Sequence, residues 1–315
     1  MTAQDRPTER FRPSTGAILA GGALVGAALL FTASTSNASP DRPGVSSQDL
    51  PDEIVLDAII RDFRPKQAEG GHPDFQAYAG TTTIGLVADQ LDDRGLPVAA
   101  SLRGQEIRAE YRDAEGRPIN PALFDAQAGD VMGELRTGGS GNGLFSEESF
   151  SQWYRDIMGV NASTVIPLTL RRQGDSNRYI FDSATDDPYV SIGGFFPIDG
   201  ELYGDYASTG HNFHFTTEIR TQFVYRAQDE QVFKFTGDDD VWVFIDGRLV
   251  IDLGGLHSKK EQFLDLSRLD WLEDGRTYEL SIFHAERRTT QSNFRIETTL
   301  NLRRVELPPT SALYD

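Results

Sequence analysis

No cysteine occurs among the 315 residues, and that absence removes disulfide scaffolds, cysteine zinc sites, iron–sulfur clusters and thiol nucleophiles together. Positive charge is also scarce: 30 Lys plus Arg stand against 48 Asp plus Glu, a formal net charge of −18. Binding nucleic acid needs a basic surface to neutralise phosphate, so that class of partner is excluded. The signatures of catalysis are missing too. There is no Gly-x-Ser-x-Gly elbow and no His-Glu-x-x-His zinc motif. The glycine-rich stretch 137–143 lacks the Lys-Ser/Thr ending of a phosphate loop and reads as a plain connection. His284-Ala-Glu286 echoes half of a zinc-deaminase motif whose cysteine half this chain cannot supply. The expectation is a protein that is not an enzyme.

Long apolar runs are lacking everywhere but at the start. Residues 16–33 carry no charge and follow a slightly basic segment with Arg6, Arg10 and Arg12, while Ser36-Asn37-Ala38 offers a small-x-small cleavage site. This layout predicts a secretory signal peptide over 1–38, with a single N-terminal membrane anchor as the other reading of the same run. Residues 39–53, rich in Pro, Ser, Gly and Asp, read as a flexible lead-in. The protein is therefore expected to be secreted or held at the cell surface.

What is present is β patterning. Hydrophobic residues make up 38% of the chain, enough for a packed core. Ile54, Leu56, Ala58 and Ile60 share one parity, as a half-buried strand requires. The runs 232–235, 241–245 and 249–251 follow closely, with Asp246-Gly247 between the last two, the strongest short-range hairpin signal. Val241, Val243 and Ile245 alternate with Trp242 and Phe244, which predicts a strand packed on both faces. One segment breaks the pattern. Phe150, Trp153, Tyr154 and Ile157 stand at i, i+3, i+4, i+7 behind a possible Ser146 cap, predicting one short helix over 147–158 packed on the β core. Asn161-Ala-Ser163 matches a glycosylation acceptor. The overall expectation is an antiparallel all-β fold.

Three consecutive carboxylates, Asp238, Asp239 and Asp240, form the sharpest polar feature. Adjacent acids repel, and a cation between them relieves the repulsion; calcium, a hard ion seeking oxygen ligands, suits a cysteine-free exported chain. The other reading is a solvated turn whose carboxylates cap backbone N–H groups. His211 and His214, three apart on a strand, fall on opposite faces and do not suggest a metal pair. Arg287 and Arg288, beside Glu286, suggest local ion pairs, and Asp252 a polar strand end.

The stretch Thr236-Gly-Asp-Asp-Asp-Val-Trp-Val-Phe-Ile-Asp-Gly-Arg-Leu-Val-Ile-Asp-Leu-Gly-Gly-Leu-His257 resembles the core of a fibro-slime domain, a branch of the PA14 superfamily. Ile60-Arg-Asp-Phe63 with His72-Pro-Asp-Phe75, His211-Asn-Phe-His-Phe-Thr-Thr-Glu218, and Ala285-Glu-Arg-Arg-Thr-Thr-Gln-Ser-Asn-Phe294 fit the same family in order. The resemblance spans about 54–303, leaving 304–315 as a tail, and implies a PA14-like antiparallel β-sandwich or barrel. It further implies calcium held by Asp238 and Asp239, with Asn293 from a later loop as the nearest third ligand. Asp240, where many PA14 sequences carry Gly, joins His257 and Gln291 as candidate ligand-binding residues. The function so implied is calcium-dependent recognition of an extracellular or cell-surface glycan. A purely structural extracellular domain is the alternative, and an exported glycan hydrolase the remote one.

Overall fold

The computed structural model describes residues 50–78, 80–137 and 143–305. The expected signal peptide over 1–38, most of the expected lead-in, the core of the 137–143 stretch and nearly all of the expected tail lie outside these residues. Among those described, no helix is long and apolar enough to cross a membrane.

The chain runs through β1 (Glu53–Phe63), β2 (Thr83–Ile84), β3 (Gln105–Ala109), β4 (Glu134–Thr137), α1 (Glu147–Phe150), β5 (Asn161–Arg172) and β6 (Tyr179–Asp182). It continues through α2 (Tyr189–Ile192), β7 (Phe215–Val224), β8 (Val232–Gly237), β9 (Asp240–Ile245), β10 (Arg248–Leu253) and β11 (Lys260–Asp265). Last come β12 (Thr277–Glu286), β13 (Phe294–Thr298) and β14 (Arg303–Arg304). Strands β2, β3 and β4 form a small antiparallel sheet. The others form one large antiparallel sheet in the order β10-β9-β12-β7-β1-β5-β6-β13-β8-β11, with β14 added beside β7. The all-β expectation holds.

The two ends of the large sheet meet. The side-chain amide of Gln262 on β11 accepts from the Asp252 N–H at 2.9 Å and donates to the Asp252 carbonyl at 2.8 Å. It thus stands in for one peptide unit and nearly closes the sheet where edge strands would otherwise lie bare. Asp252, expected as a polar strand end, is buried: it accepts from the Gly85 N–H at 2.8 Å and from the Trp242 indole at 3.1 Å, and burial pushes its carboxyl up to about 7.

Strand alternation sorts the core into two layers. Ile54, Leu56, Ala58 and Ile60 enter the interior of the large sheet with Val241, Val243 and Ile245. Trp242 and Phe244, on the other face of β9, pack with Phe63, Phe75, Phe150, Trp153 and Phe283 beneath the loops that cover that face. The hairpin at 246–247 forms as expected, with φ of 51° and 75° at Asp246 and Gly247, the left-handed pair that such a two-residue turn requires.

The expected helix is shorter than its periodicity. The Ser146 cap forms a reciprocal box with Ser149, but α1 ends at Phe150. Beyond it, Gln152 and Trp153 bond three residues back, to Ser149 and Phe150. These tighter turns still aim Phe150, Trp153 and Tyr154 at the core, so burial satisfies the pattern without a second α-helical turn. A second short helix, α2, follows β6. The Asn161 side chain accepts from the Ile157 N–H at 3.0 Å and donates to the Arg155 carbonyl at 2.7 Å; the amide of this glycosylation sequon is committed inside the fold.

Topology then gathers three connections at one end of the sheet. Residues 238–239 join β8 to β9, 254–259 join β10 to β11, and 287–293 join β12 to β13. In each case the chain passes between the group β10-β9-β12 and the group β13-β8-β11. The registers Ala285 with Asp240, Leu253 with Val241, and both Phe294 and Lys260 with Gly237 place all three crossings at the same end. Gly237 is needed there: a Cβ would sit 2.6 Å from the Asn293 carbonyl oxygen.

Candidate cation and ligand cleft

The three crossings enclose a cleft of about 260 Å³ lined by Asp238, Asp239, Leu256, His257, Ser258, Arg288, Thr289, Thr290 and Gln291, with Gly80 at its side. Four of the six residues singled out from sequence therefore meet at one place: Asp238, Asp239, His257 and Gln291. Asn293 stands behind the cleft, donating to Asp238 Oδ2 through Nδ2 at 2.7 Å and to Oδ1 through its backbone N–H. Asp240 is corrected. It is not at the cleft surface but fully buried, its carboxylate bridged by Arg287, with Nε to Oδ2 at 2.5 Å and Nη2 to Oδ1 at 3.1 Å. A carboxylate at the first position of a strand whose both faces pack has no route to solvent, so it took a buried partner.

Asp239 adopts φ of +57°, a left-handed conformation uncommon for a side-chain-bearing residue. Its Oδ2 accepts the successive N–H groups of Arg287 at 2.8 Å and Arg288 at 3.0 Å. Both bonds stabilise the corner and tie one crossing to the next. The peptide bond between Asp238 and Asp239 is trans; Thr289–Thr290 in the facing loop is cis.

Buried acid dominates the electrostatics. Burial raises the Asp238 carboxyl above its ordinary range against the two bonds from Asn293. Asp239 is pushed up to about 7, by burial first and by the Asp240 charge second, with Arg287 opposing. Glu286, at the end of β12 under the same loop, is pushed well above the carboxylate range by burial and by Asp239 and Asp238. Its Oε2 is buried without a hydrogen-bond partner. The nearest guanidiniums offset this only in part: Arg287, paired with Asp240, lowers Asp239 without cancelling its burial, and Arg288 Nη1 donates to the Tyr78 carbonyl.

The imidazole of His257 lies between two carbonyls, Nδ1 3.0 Å from Ser258 O and Nε2 3.2 Å from Leu253 O. His211 pairs with Asp199 at 2.6 Å and His214 with Gln76 at 3.0 Å, so neither belongs to the cleft. Among the described residues no group of three or more His, Asp or Glu side chains converges as a metal cage. A cation here would draw on two carboxylates, an amide and other oxygens, a donor set that suits calcium and not zinc.

Sequence reasoning missed Glu286, Arg287 and the rim residues Ser258, Thr289 and Thr290. Glu286 and Arg287 were visible as an acid and a base side by side in one motif, but the acids that Arg287 engages lie 47 and 48 residues away.

Residues 177–310 match the family model of the PA14 domain. Among curated relatives, the chain is 38% identical over 262 residues to protein psiQ of Dictyostelium discoideum, covering 79% of this chain and 21% of that one. It is 32% identical over 262 residues to protein psiD of the same organism, covering 81% of this chain and 43% of that one. The chain thus spans less than half the length of these relatives. Among solved structures, the PA14 domain of an antifreeze protein aligns with 82% of this chain and 96% of its own, at 11% identity and a TM-score of 0.24. A Kluyveromyces marxianus beta-glucosidase aligns with 75% of this chain and 21% of its own, at 12% identity and a TM-score of 0.25.

Proposed function

This chain is a PA14 domain protein, and we propose that it is an exported binding module, secreted or at the cell surface, that recognises carbohydrate through a calcium ion. One observation carries the reading: Asp238 and Asp239 line an open cleft while buried carboxyls outnumber the guanidiniums that could neutralise them. Acids in such surroundings must either hold protons or hold a cation. Asp238 and Asp239 would supply the carboxylates and Asn293 the amide oxygen. A bound calcium ion supplies an electrophile that vicinal sugar hydroxyls can ligate directly. His257 and Gln291 at the rim, with Thr289 and Thr290, provide polar groups to orient the remaining hydroxyls.

The test has two stages. Thermal melts of the full chain in saturating calcium and in chelator should differ by several degrees, since ligand at about 100 times its Kd adds about 2.7 kcal/mol. Asp239→Ala should abolish the difference, and a midpoint indifferent to calcium sinks the ion. A glycan array probed in calcium and again in chelator then reads the sugar. Calcium stabilisation with a blank array would leave the second reading, a structural extracellular domain clipped by an ion. The low exposure of Asp238 and Asp239, 2% and 5%, is the observation that favours that reading.

A further inference from the structure

Arg287 touches more of the cleft's framework than any role in local ion pairing requires. It has no exposed surface, and it lies 4.9 Å above the Trp153 ring in the outer core layer. Burial works against its charge, and Asp240 foremost, then Asp74 and Asp239, outweigh that effect. The Arg287 fork engages both oxygens of Asp240. Nη1 reaches the Gly143 carbonyl at 3.3 Å, and the Arg287 backbone N–H holds Asp239 at 2.8 Å. Asp240 Oδ1 in turn accepts the Gly255 N–H at 2.7 Å. All three crossings, 238–239, 254–259 and 287–293, are thereby fastened to one ion pair, along with the segment that begins at Gly143.

We infer that Arg287, paired with Asp240, is the positioning residue of the cleft. The pair withdraws the third acid of the triplet from the opening and fixes the three crossings, so that Asp238 and Asp239 are presented at a set separation. Only the effect on cation affinity rests on the calcium reading; the fastening does not. Shape alone would not require an ion pair there, since an apolar pair of similar volume often folds equally well. Bidentate geometry supplies what an apolar pair lacks, a fixed direction between strand start and loop.

The experiment compares the full chain with the double variant Asp240→Asn/Arg287→Met, which removes both charges together and leaves neither buried alone. Hydrogen exchange in chelator should be at least tenfold faster at the amides of Asp239, Gly255, Arg287 and Arg288, with β1 and β5 unchanged and the global melt shifted by only a few degrees. Terbium titration, read by luminescence sensitised through the tryptophans, should show at least a tenfold loss of affinity. Wild-type exchange at those four amides overturns the inference. Faster exchange in a protein whose parent binds no terbium supports the fastening and defeats the calcium reading instead. Should the double variant fail to fold, Arg287→Lys keeps the charge and loses the fork. Faster exchange at the same amides then supports the inference, and wild-type exchange there overturns it.

Discussion

Two acidic neighbourhoods in this fold are balanced differently. Around Arg61, charges alternate. Arg61 donates to Asp156 at 2.9 Å and to Glu218 at 2.8 Å, and Arg220 donates to Glu218 at 2.8 Å and to Glu279 at 3.1 Å. Three carboxylates thus share two guanidiniums. At the cleft, Asp238, Asp239, Asp240 and Glu286 share Arg287, whose guanidinium serves Asp240; the others rely on amide donors and on one another. A fold that can supply arginine where it is needed, as at Arg61, has left acids under-compensated at the one place where three connections open a cleft. Uncompensated burial is costly, and the cation proposed for the cleft would relieve it.

The largest effect should come from breaking the balanced region. Arg61→Met leaves the Glu218 carboxylate, 4% exposed, with Arg220 alone and breaks the Asp156 ion pair as well, and should cost about 3 kcal/mol. That is a fall in melting temperature on the order of 10 °C. The calcium increment proposed for the cleft should survive in this variant, because neither hydrogen bond of the Arg61 guanidinium reaches a cleft residue. Differential scanning fluorimetry with and without calcium reads both. Loss of the increment in Arg61→Met would mean that the two neighbourhoods are one system and that the contrast drawn between them is false.

What was legible in the sequence was local. The alternation of 54–60 and 241–245, the Asp246-Gly247 turn and the Ser146 cap are set by neighbouring residues, and each formed. Asp238 and Asp239 stood out by adjacency, while His257 and Gln291 were joined to them by family resemblance and not by spacing. Asp240 went astray because a carboxylate's direction depends on strand register: the first residue of β9 lies beside Ala285 and under Arg287, a fact of pairing across the sheet. The role of Gln262 in closing the sheet was hidden for the same reason, since it needs β10 and β11 to meet. The histidines and the Asn161 sequon show the converse, residues with suggestive chemistry that the fold consumes in its own hydrogen bonds.

A smaller effect should separate the neighbourhoods by pH. Asp62 follows Arg61 on β1 and so faces the other side of the strand; it accepts from Asn212 at 2.9 Å and from the Tyr203 N–H at 2.7 Å, yet burial pushes its carboxyl up to about 6. Its folded value lies above the unfolded one near 4, so the folded state holds the extra proton between them. The stability this proton contributes is complete below pH ~4 and lost as pH rises through about 6. Measured in chelator, Asp62→Asn should gain on the wild type by roughly 2 kcal/mol between pH 4 and pH 7.5. Asp239 and Asp252 are present in both proteins and drop out of the comparison. A difference independent of pH would show that Asp62 titrates in the ordinary carboxylate range despite its burial.

The smallest effect lies within the Arg61 cluster itself and asks whether balance there depends on burial or on contact. Arg61 has two acid partners at nearly equal distance, but the Asp156 side chain is 25% exposed and that of Glu218 6%. If distance governed, Asp156→Asn and Glu218→Gln would cost the same. Solvent screens the exposed partner and offers its lost hydrogen bond to water, so Asp156→Asn should cost less than about 1 kcal/mol. Glu218→Gln leaves two guanidiniums facing a neutral amide in a dry site and should cost two to three times as much. Urea unfolding of both variants at neutral pH decides it. Equal losses would place the value of these pairs in their geometry, and the excess of acid at the cleft would then no longer mark it as different in kind.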